Sequence, residues 1–157
     1  MAVPDRVLPC LLDRLIAGTD PATRQSSAAT LRQYQQSVLR DLSWLLNANA
    51  TLDEDEATGF PEVSRSVLNY GTRDFCGVTA SSINISEVEQ ELSEAIRLFE
   101  PRIIPSTLVV TSVPPAEHSP LNLVTFELRA EVWAVPFPEQ VFIRTELDLE
   151  TGQYQLK

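Results

Sequence analysis

The sequence has few of the residues on which catalytic and metal-binding sites usually depend. Its 157 residues include two cysteines, Cys10 and Cys76, and one histidine, His118. Two cysteines cannot build a disulfide framework, and because neither belongs to a CxxC pair, we expect no structural zinc site. Nucleophilic triads need a histidine or another base, and His118 lies between prolines in a predicted loop, so we expect no catalytic role for it. Glycine-rich nucleotide-binding loops are missing as well, and we predict no cofactor and no metal.

Basic residues and long apolar runs are also scarce. The chain has 12 lysines and arginines against 22 aspartates and glutamates, which gives a net charge of −10. Nucleic acids and anionic membranes attract clusters of basic residues, so we expect binding to neither. No segment approaches the roughly 20 apolar residues of a membrane span, and the apolar run near the N-terminus is too short for a signal peptide. These absences predict a cytoplasmic protein without direct membrane insertion.

The hydrophobic residues that are present suffice for one core. They make up 43% of the chain, which is ordinary for a globular protein of this length. We therefore predict a single domain over residues 1–157.

The first apolar pattern has helical spacing between residues 7 and 16, and Gly18 stops it. A polar stretch separates it from the next helix, so we interpret residues 1–18 as a peripheral docking helix. The sequence favours neither docking on its own domain nor docking on a partner chain.

Two longer helices are predicted from their apolar stripes. One should begin near Ser27 or Thr30 and fray around residues 47–49. The other should begin with a capping box of Ser86 and Glu89 and end at Phe99.

The connection between these helices carries turn signals. Asp53-Glu54-Asp55-Glu56 is a block of like charges, which is typical of a solvated loop. A third, short helix should open at Phe60-Pro61, with Val67 and Leu68 able to share a face with Val63. Gly71 should end it in the left-handed conformation.

From residue 102 onward the apolar period switches to two, which indicates strands. Strands are predicted over residues 103–113, over 121–135, around 141–147 and at Tyr154 to Leu156. Residues 102–157 should thus form a β-meander. Helices followed by a meander predict an α+β fold, with N-terminal helices packed on a small, mainly antiparallel C-terminal β-sheet.

The turn Glu100-Pro101-Arg102 joins the last helix to this meander. Proline stops the helix and places two opposite charges beside residues that look buried. Charges at such a position cost free energy unless they are paired or hydrogen bonded. Either the two charges pair internally and hold the junction, or they contact a partner.

Acid hydrolysis of a glycosidic bond needs only two carboxylates, one of which acts as the acid, and Glu100 beside the core junction is a candidate for it. The adjacent Arg102 argues against that role, because a nearby cation favours the ionised form of a carboxylate. We therefore predict that the chain is not an enzyme.

Several motifs together resemble one family. They are Leu11-Leu12-Asp13-Arg14-Leu15, Arg40-Asp41-Leu42, Ser66-Val67-Leu68-Asn69-Tyr70-Gly71, Asp74 with Gly77, and Phe99-Glu100-Pro101-Arg102. In order and spacing they resemble the TssE family, the small baseplate subunits of bacterial type VI secretion systems. TssE is related to the baseplate wedge proteins of contractile phages that were once labelled lysozyme-like.

The resemblance implies a structural role. TssE-like proteins join a wedge of TssF, TssG and TssK subunits to the contractile TssB–TssC sheath and help to start sheath assembly. It implies partner contacts for Glu100, Pro101 and Arg102, and we extend these to Leu12, Asp13, Arg14 and Leu15. Structural roles are implied for Arg40, Asp41, Asn69, Tyr70, Gly71, Asp74 and Gly77.

The resemblance also implies that the meander is similar to the sheath handshake region, where partner strands extend the sheet. Two alternatives stay open at this point. One is a phage or phage-tail-like baseplate wedge protein, and the other is a peptidoglycan glycosidase, as the old family label suggests.

Overall fold

The computed structural model describes residues 10–17, 31–52, 54–79, 82–115, 120, 122–134 and 137–157. Within these ranges, five α-helices precede four strands. The helices are α1 (Leu11–Ala17), α2 (Leu31–Leu46), α3 (Glu54–Gly59), α4 (Pro61–Ser64) and α5 (Ile85–Phe99), with a 3₁₀ turn at Val67–Asn69. The strands are β1 (Val109–Val113), β2 (Leu123–Val132), β3 (Glu139–Asp148) and β4 (Gln153–Leu156). None of the described helices is long and apolar enough to cross a membrane.

The two long helices supply one wall of the core. Their apolar stripes are fully buried, as the helical periodicity predicts, at Val38, Leu42, Leu45, Val88, Leu92 and Ile96. Burying each of these side chains contributes about 1.5–3 kcal/mol. The predicted start of α2 near Ser27 or Thr30 lies outside the described residues, as do the early part of the first helical pattern, its stop at Gly18, and His118.

The strands form one antiparallel sheet in the order β1-β2-β3-β4, which confirms the predicted α+β fold. The alternation along β2 and β3 is also confirmed. The side chains that face the helices are Phe126, Leu128, Ala130, Val132, Ile143, Thr145 and Leu147. Helix α5 packs beside β1 and α2 beside β4, so both long helices cover the same face of the sheet.

The first strand is shorter than the sequence predicts. It begins at Val109 rather than at residue 103, because Pro105 has no backbone N–H and the chain turns there, with Thr107 N–H donating to Ile104 O at 3.0 Å. Ile103 still pairs with Val132, but as an isolated bridge.

Three local predictions in the helical part were wrong. The acidic block is not all loop, since Glu54–Gly59 is helical and glutamate is a good helix former. The cap of α5 is Asn84, which accepts from Ser86 N–H at 3.2 Å, in place of a Ser86–Glu89 capping box. Val67 and Leu68 share no buried face and are exposed.

Candidate functional site

The turn after α5 is fixed by backbone hydrogen bonds on both sides. Glu100 N–H donates to Ile96 O at 2.9 Å and ends the helix. Ile103 N–H then donates to Glu100 O at 3.2 Å, which closes the turn around the proline. Arg102 O accepts from Trp133 N–H at 2.9 Å, so the turn is attached to the end of β2. These hydrogen bonds fix the backbone conformation of residues 100–102, and the helix ends before Pro101 as the sequence predicts.

The two charges of the turn face each other. Glu100 is only 4% exposed, and its Oε1 accepts from the Arg102 backbone N–H at 3.1 Å and from Arg102 Nε at 2.7 Å. Glu100 Oε2 accepts from Arg102 Nη2 at 2.5 Å, so the carboxylate and the guanidinium form a bidentate ion pair. Burial alone would lower the pKa of Arg102, but the hydrogen bonds and charge of Glu100 and Asp41 raise it. Arg102 stays charged at every physiological pH.

A second carboxylate, from α2, shares the same guanidinium. Asp41 Oδ2 accepts from Arg102 Nη2 at 2.6 Å, and Ser37 Oγ lies 3.2 Å from Arg102 Nη1. The other oxygen of Asp41 accepts from Arg40 Nε at 2.9 Å. Asp41 thus connects the turn after α5 to the solvent side of α2.

Arg40 continues the connection to α1. Its Nη1 donates to Asp13 Oδ1 at 2.5 Å, and its Nη2 lies 3.4 Å from Cys10 Sγ. The hydrogen bond from Arg40, followed by that from the Cys10 thiol, holds the pKa of Asp13 below its usual value. We call this run of side chains the ion-pair chain: Asp13, Arg40, Asp41, Arg102 and Glu100.

A groove lies along the ion-pair chain, between α1 and the turn. Its volume is about 450 Å³, and its walls include Leu12, Trp44, Tyr70, Phe99 and Pro101. Pro101 is exposed, and Trp44 is held by the Arg40 guanidinium, 5.0 Å above its ring. The groove is therefore mainly apolar, and the charges at its floor are matched within the chain.

The remaining residues of the predicted site divide by position. On α1, Leu12, Arg14 and Leu15 are exposed, whereas Asp13 turns inward to Arg40. Tyr70 packs edge-to-face on Phe99, with ring centroids 5.2 Å apart, and so lies beside the turn. The partner contacts predicted for Glu100, Pro101, Arg102 and residues 12–15 stay predictions.

Asn69 and Gly71 lie away from the turn, where the chain crosses the end of α2. Asn69 Oδ1 accepts from the backbone N–H groups of Thr51 and Leu52, each at 3.0 Å. Gly71 has a φ of +135°, and a Cβ there would lie 2.2 Å from Ala48 O. No residue with a side chain fits at position 71 without a shift of the backbone.

Asp74 and Gly77 lie further along the same connection, against the β3–β4 turn. Asp74 Oδ1 accepts from Cys76 N–H at 2.8 Å. Gly77 has a φ of +77°, and its N–H donates to Leu149 O at 2.9 Å. These contacts do not touch the ion-pair chain, and the structural roles predicted for Asp74 and Gly77 stay predictions.

Two further side chains, neither of which the sequence assigns to the sheet, make hydrogen bonds at its edges. Glu89 Oε1 accepts from Ser112 N–H on β1 at 2.5 Å. Asn47 pairs with both backbone groups of Tyr154 on β4, at 2.9 and 3.0 Å. Such contacts join residues up to 107 positions apart, so no local pattern could have indicated them.

Metal ligands do not converge anywhere in the described part of the chain. No group of three or more histidine, cysteine, aspartate or glutamate residues there is placed to hold a metal ion. The carboxylates of the ion-pair chain are each bound to arginine instead.

Comparison with known proteins gave one match. The family model described as baseplate wedge protein gp25 matches residues 32–136, about two thirds of the chain. The matched segment contains all of α2 except its first residue, α5, the Glu100-Pro101-Arg102 turn and the first two strands. Neither the curated proteins nor the solved structures yielded a match.

Proposed function

Because the chain belongs to the family of baseplate wedge protein gp25, we propose that it is a non-enzymatic baseplate subunit of a bacterial type VI secretion system. In this role it joins the wedge of TssF, TssG and TssK to the contractile TssB–TssC sheath and helps to start sheath assembly. The family itself places the chain among structural components of phage-like baseplates. The secretion system, its named partners and a cytoplasmic location at the docked apparatus are the proposal.

The observation that carries the proposal is the turn at residues 100–102. It lies inside the matched segment, and its Arg102 forms ion pairs with Glu100 and with Asp41. Such an arrangement holds α2, α5 and the end of β2 in one relative orientation. A subunit that joins two assemblies needs this rigidity, because matched charges fix geometry more than they add affinity.

The same geometry supports a non-enzymatic role. A general acid must carry a proton and reach its substrate. Glu100 is bound through both oxygens to a permanently charged arginine and is almost fully buried. The decisive assay is turnover of purified cell-wall sacculi: we expect no release of fragments, and activity that disappears in Glu100→Gln would overturn this part of the proposal.

Attachment to the sheath involves the edges of the β-sheet. A partner strand adds to an edge through main-chain hydrogen bonds. Here Glu89 accepts a hydrogen bond from Ser112 N–H on β1, and Asn47 accepts one from Tyr154 N–H on β4. A sheath strand that pairs along either edge must displace one of these side chains, so strand addition is selective.

Co-purification tests the proposed place in the wedge. Tagged wild-type chain is expected to retain TssF and TssG, whereas the folded double variant Glu100→Ala/Arg102→Ala is expected to lose them. Ser106→Ala, on the exposed side of the following turn, is the matched control. A folded double variant that still retains both subunits would contradict the role of the turn.

A phage-tail-like particle is the second candidate, because the matched family is described by a phage-type wedge protein. The same tagged chain separates the two. Recovery with phage-type tail proteins instead of TssF and TssG would favour the particle and leave the baseplate role unchanged.

A further inference from the structure

Strand β1 is an edge of the described sheet, and α5 supplies the side chain that covers it. Glu89 Oε1 accepts from the outward Ser112 N–H at 2.5 Å, so a carboxylate lies where a neighbouring strand would place its backbone carbonyl. Glu89 is half-buried at this contact between helix and strand. A carboxylate in this position protects the edge, but it has to move away when another strand pairs there.

The opposite edge of the sheet is held by more contacts. On β4, Asn47 accepts from Tyr154 N–H at 2.9 Å and donates to Tyr154 O at 3.0 Å. The same Asn47 amide donates to Ser43 O within α2 at 2.8 Å. A strand that pairs at Tyr154 has to break two hydrogen bonds of this side chain, whereas a strand that pairs at Ser112 breaks one. Of the two edges, β1 is therefore the one that opens more easily.

The register of β1 determines which partner residue would lie near Glu89. Ser112 pairs with Phe126, which is buried on the face that α2 and α5 cover. Val110 pairs with Leu128 on the same face. Residues directly opposite each other in paired strands point to the same face of a sheet, and so does every second residue along a strand. A residue opposite Ser112 would thus point toward the helices, as would the residue opposite Val110.

Helix α5 brings negative charge to this edge. It carries four glutamates, at positions 87, 89, 91 and 94, against one arginine, Arg97. When a strand displaces Glu89 from Ser112 N–H, the carboxylate loses its hydrogen bond, and the new strand shields it from water. A lysine or arginine opposite Ser112 restores a charge-assisted hydrogen bond to this carboxylate, whereas an apolar or acidic residue does not.

We infer that the β1 edge binds a partner strand with a lysine or arginine opposite Ser112 and an apolar residue opposite Val110, and that Glu89 pairs with the basic residue after it releases Ser112 N–H. One residue separates the two positions, because every second residue of a strand points to the same face. The inference rests on the proposed function in taking this strand from the sheath. Glu89 then selects the strand as well as protecting the edge.

Photo-crosslinking identifies the strand. The full chain carrying Thr111→p-benzoylphenylalanine, at an exposed position of β1, is expressed in the native cells and irradiated, and the crosslinked peptide is sequenced by mass spectrometry. We expect a sheath peptide with strand-type alternation and a lysine or arginine two positions from an apolar residue. Gln155→p-benzoylphenylalanine, at an exposed position of β4, is the matched control and should not give this peptide.

The source and the pattern of the peptide test different claims. A sheath peptide without a basic residue would overturn the inference and leave the proposed sheath attachment intact. A peptide of this same chain, or no crosslink from position 111, would also overturn the inference. A strand with the expected pattern from a protein outside the sheath would support the selection by Glu89 and contradict the proposed attachment, so the two failures are distinguishable.

Removing only the charge of Glu89 gives an independent measurement with the same crosslink. Glu89→Gln keeps an acceptor for Ser112 N–H, and the crosslink yield at position 111 is expected to fall about tenfold because a close charge pair is lost. Glu94→Gln, at an exposed position of the same helix, should leave the yield unchanged. Glu89→Lys combined with glutamate at the basic position of the identified strand should restore it. Equal yields from the two glutamine variants, or no recovery after the charge exchange, would overturn the inference.

Discussion

The carboxylate of Glu100 is a buried charge whose cost is offset by one neighbour. Arg102 supplies three hydrogen bonds to it, from its backbone and from two guanidinium nitrogens. Breaking a buried ion pair on one side is far more costly than removing both partners, because the remaining charge has lost its compensation. At the scale of single residues, this asymmetry is the clearest property of the site.

Arg102→Ala should therefore destabilise the chain by about 3–5 kcal/mol. Glu100→Ala/Arg102→Ala should cost clearly less, because it leaves no buried charge at position 100 and Asp41 keeps Arg40. Urea unfolding followed by circular dichroism measures both. If the double variant proved as unstable as Arg102→Ala, the pair would not be what compensates Glu100.

Gly71 is the second residue at which one substitution is decisive. Gly71→Ala places a Cβ 2.2 Å from Ala48 O at a φ of +135°, so the backbone has to move away from the end of α2. Gly77→Ala is the control, since it has a φ of +77° but open space around the Cβ position. Backbone strain alone costs roughly 1–3 kcal/mol, so Gly71→Ala should exceed Gly77→Ala in loss of unfolding free energy. Similar losses would mean that the close approach to Ala48 is relaxed in solution.

At the scale of elements, ion pairing attaches α1 to the domain, and a side chain covers the exposed edge of the sheet. Helix α1 is attached through Asp13 and Cys10, both of which contact Arg40. The edge strand β1 has one outward N–H occupied by Glu89 of α5. In each case one carboxylate, Asp13 or Glu89, makes a contact that holds the helix or covers the strand edge.

The attachment of α1 should depend on pH. The hydrogen bonds from Arg40 and Cys10 hold the pKa of Asp13 in the folded chain below its ordinary value. The stability that Asp13 contributes is therefore fully present above the pKa of this carboxyl in the unfolded chain. It is lost as the pH falls through the pKa in the folded chain, below about 4. In a Trp133→Phe background, Trp44 fluorescence should be constant from pH 7 to 5 and change below pH 4.

Asp13→Asn should show the acid-state fluorescence already at pH 7, whereas Arg14→Gln, on the exposed side of α1, should behave as wild type. A wild-type spectrum for Asp13→Asn would mean that the ion pair does not hold the helix.

Removing Glu89 should open the edge of β1. Glu89→Ala leaves Ser112 N–H without its acceptor, and exposed strand edges pair with other chains. We expect concentration-dependent association in sedimentation velocity at concentrations where wild type does not associate. Glu94→Ala removes the same charge from an exposed position of α5 and should not associate. Equal behaviour of the two variants would exclude Glu89 as an edge guard.

At the scale of the whole molecule, local sequence patterns predict the helices and strands but not the residues at which they begin. The stripes of α2 and α5, the alternation along β2 and β3, and the helix stop at Pro101 are all readable from spacing. The start of β1 was misplaced because Pro105 lies in a turn that leaves Ile103 only one bridge. The cap of α5 was misplaced by two residues because asparagine and serine both suit that position.

The sequence singled out the residues of the ion-pair chain but not the contacts between them. Asp13, Arg40, Asp41, Glu100 and Arg102 were each singled out within their own segments. Their order as one ion-pair chain depends on how α1, α2 and α5 pack, which no local spacing specifies. The same holds for Asn47 and Tyr154, which lie far apart in sequence.

Sheath assembly in native cells tests the central claim, that this chain is a structural baseplate subunit organised by the turn at residues 100–102. Cells that lack the chain and carry a fluorescent sheath subunit are expected to form no extended sheaths. The wild-type chain should restore them, and Glu100→Ala/Arg102→Ala, present at the wild-type level, should not. Extended sheaths of normal number and length in cells without the chain would contradict the account.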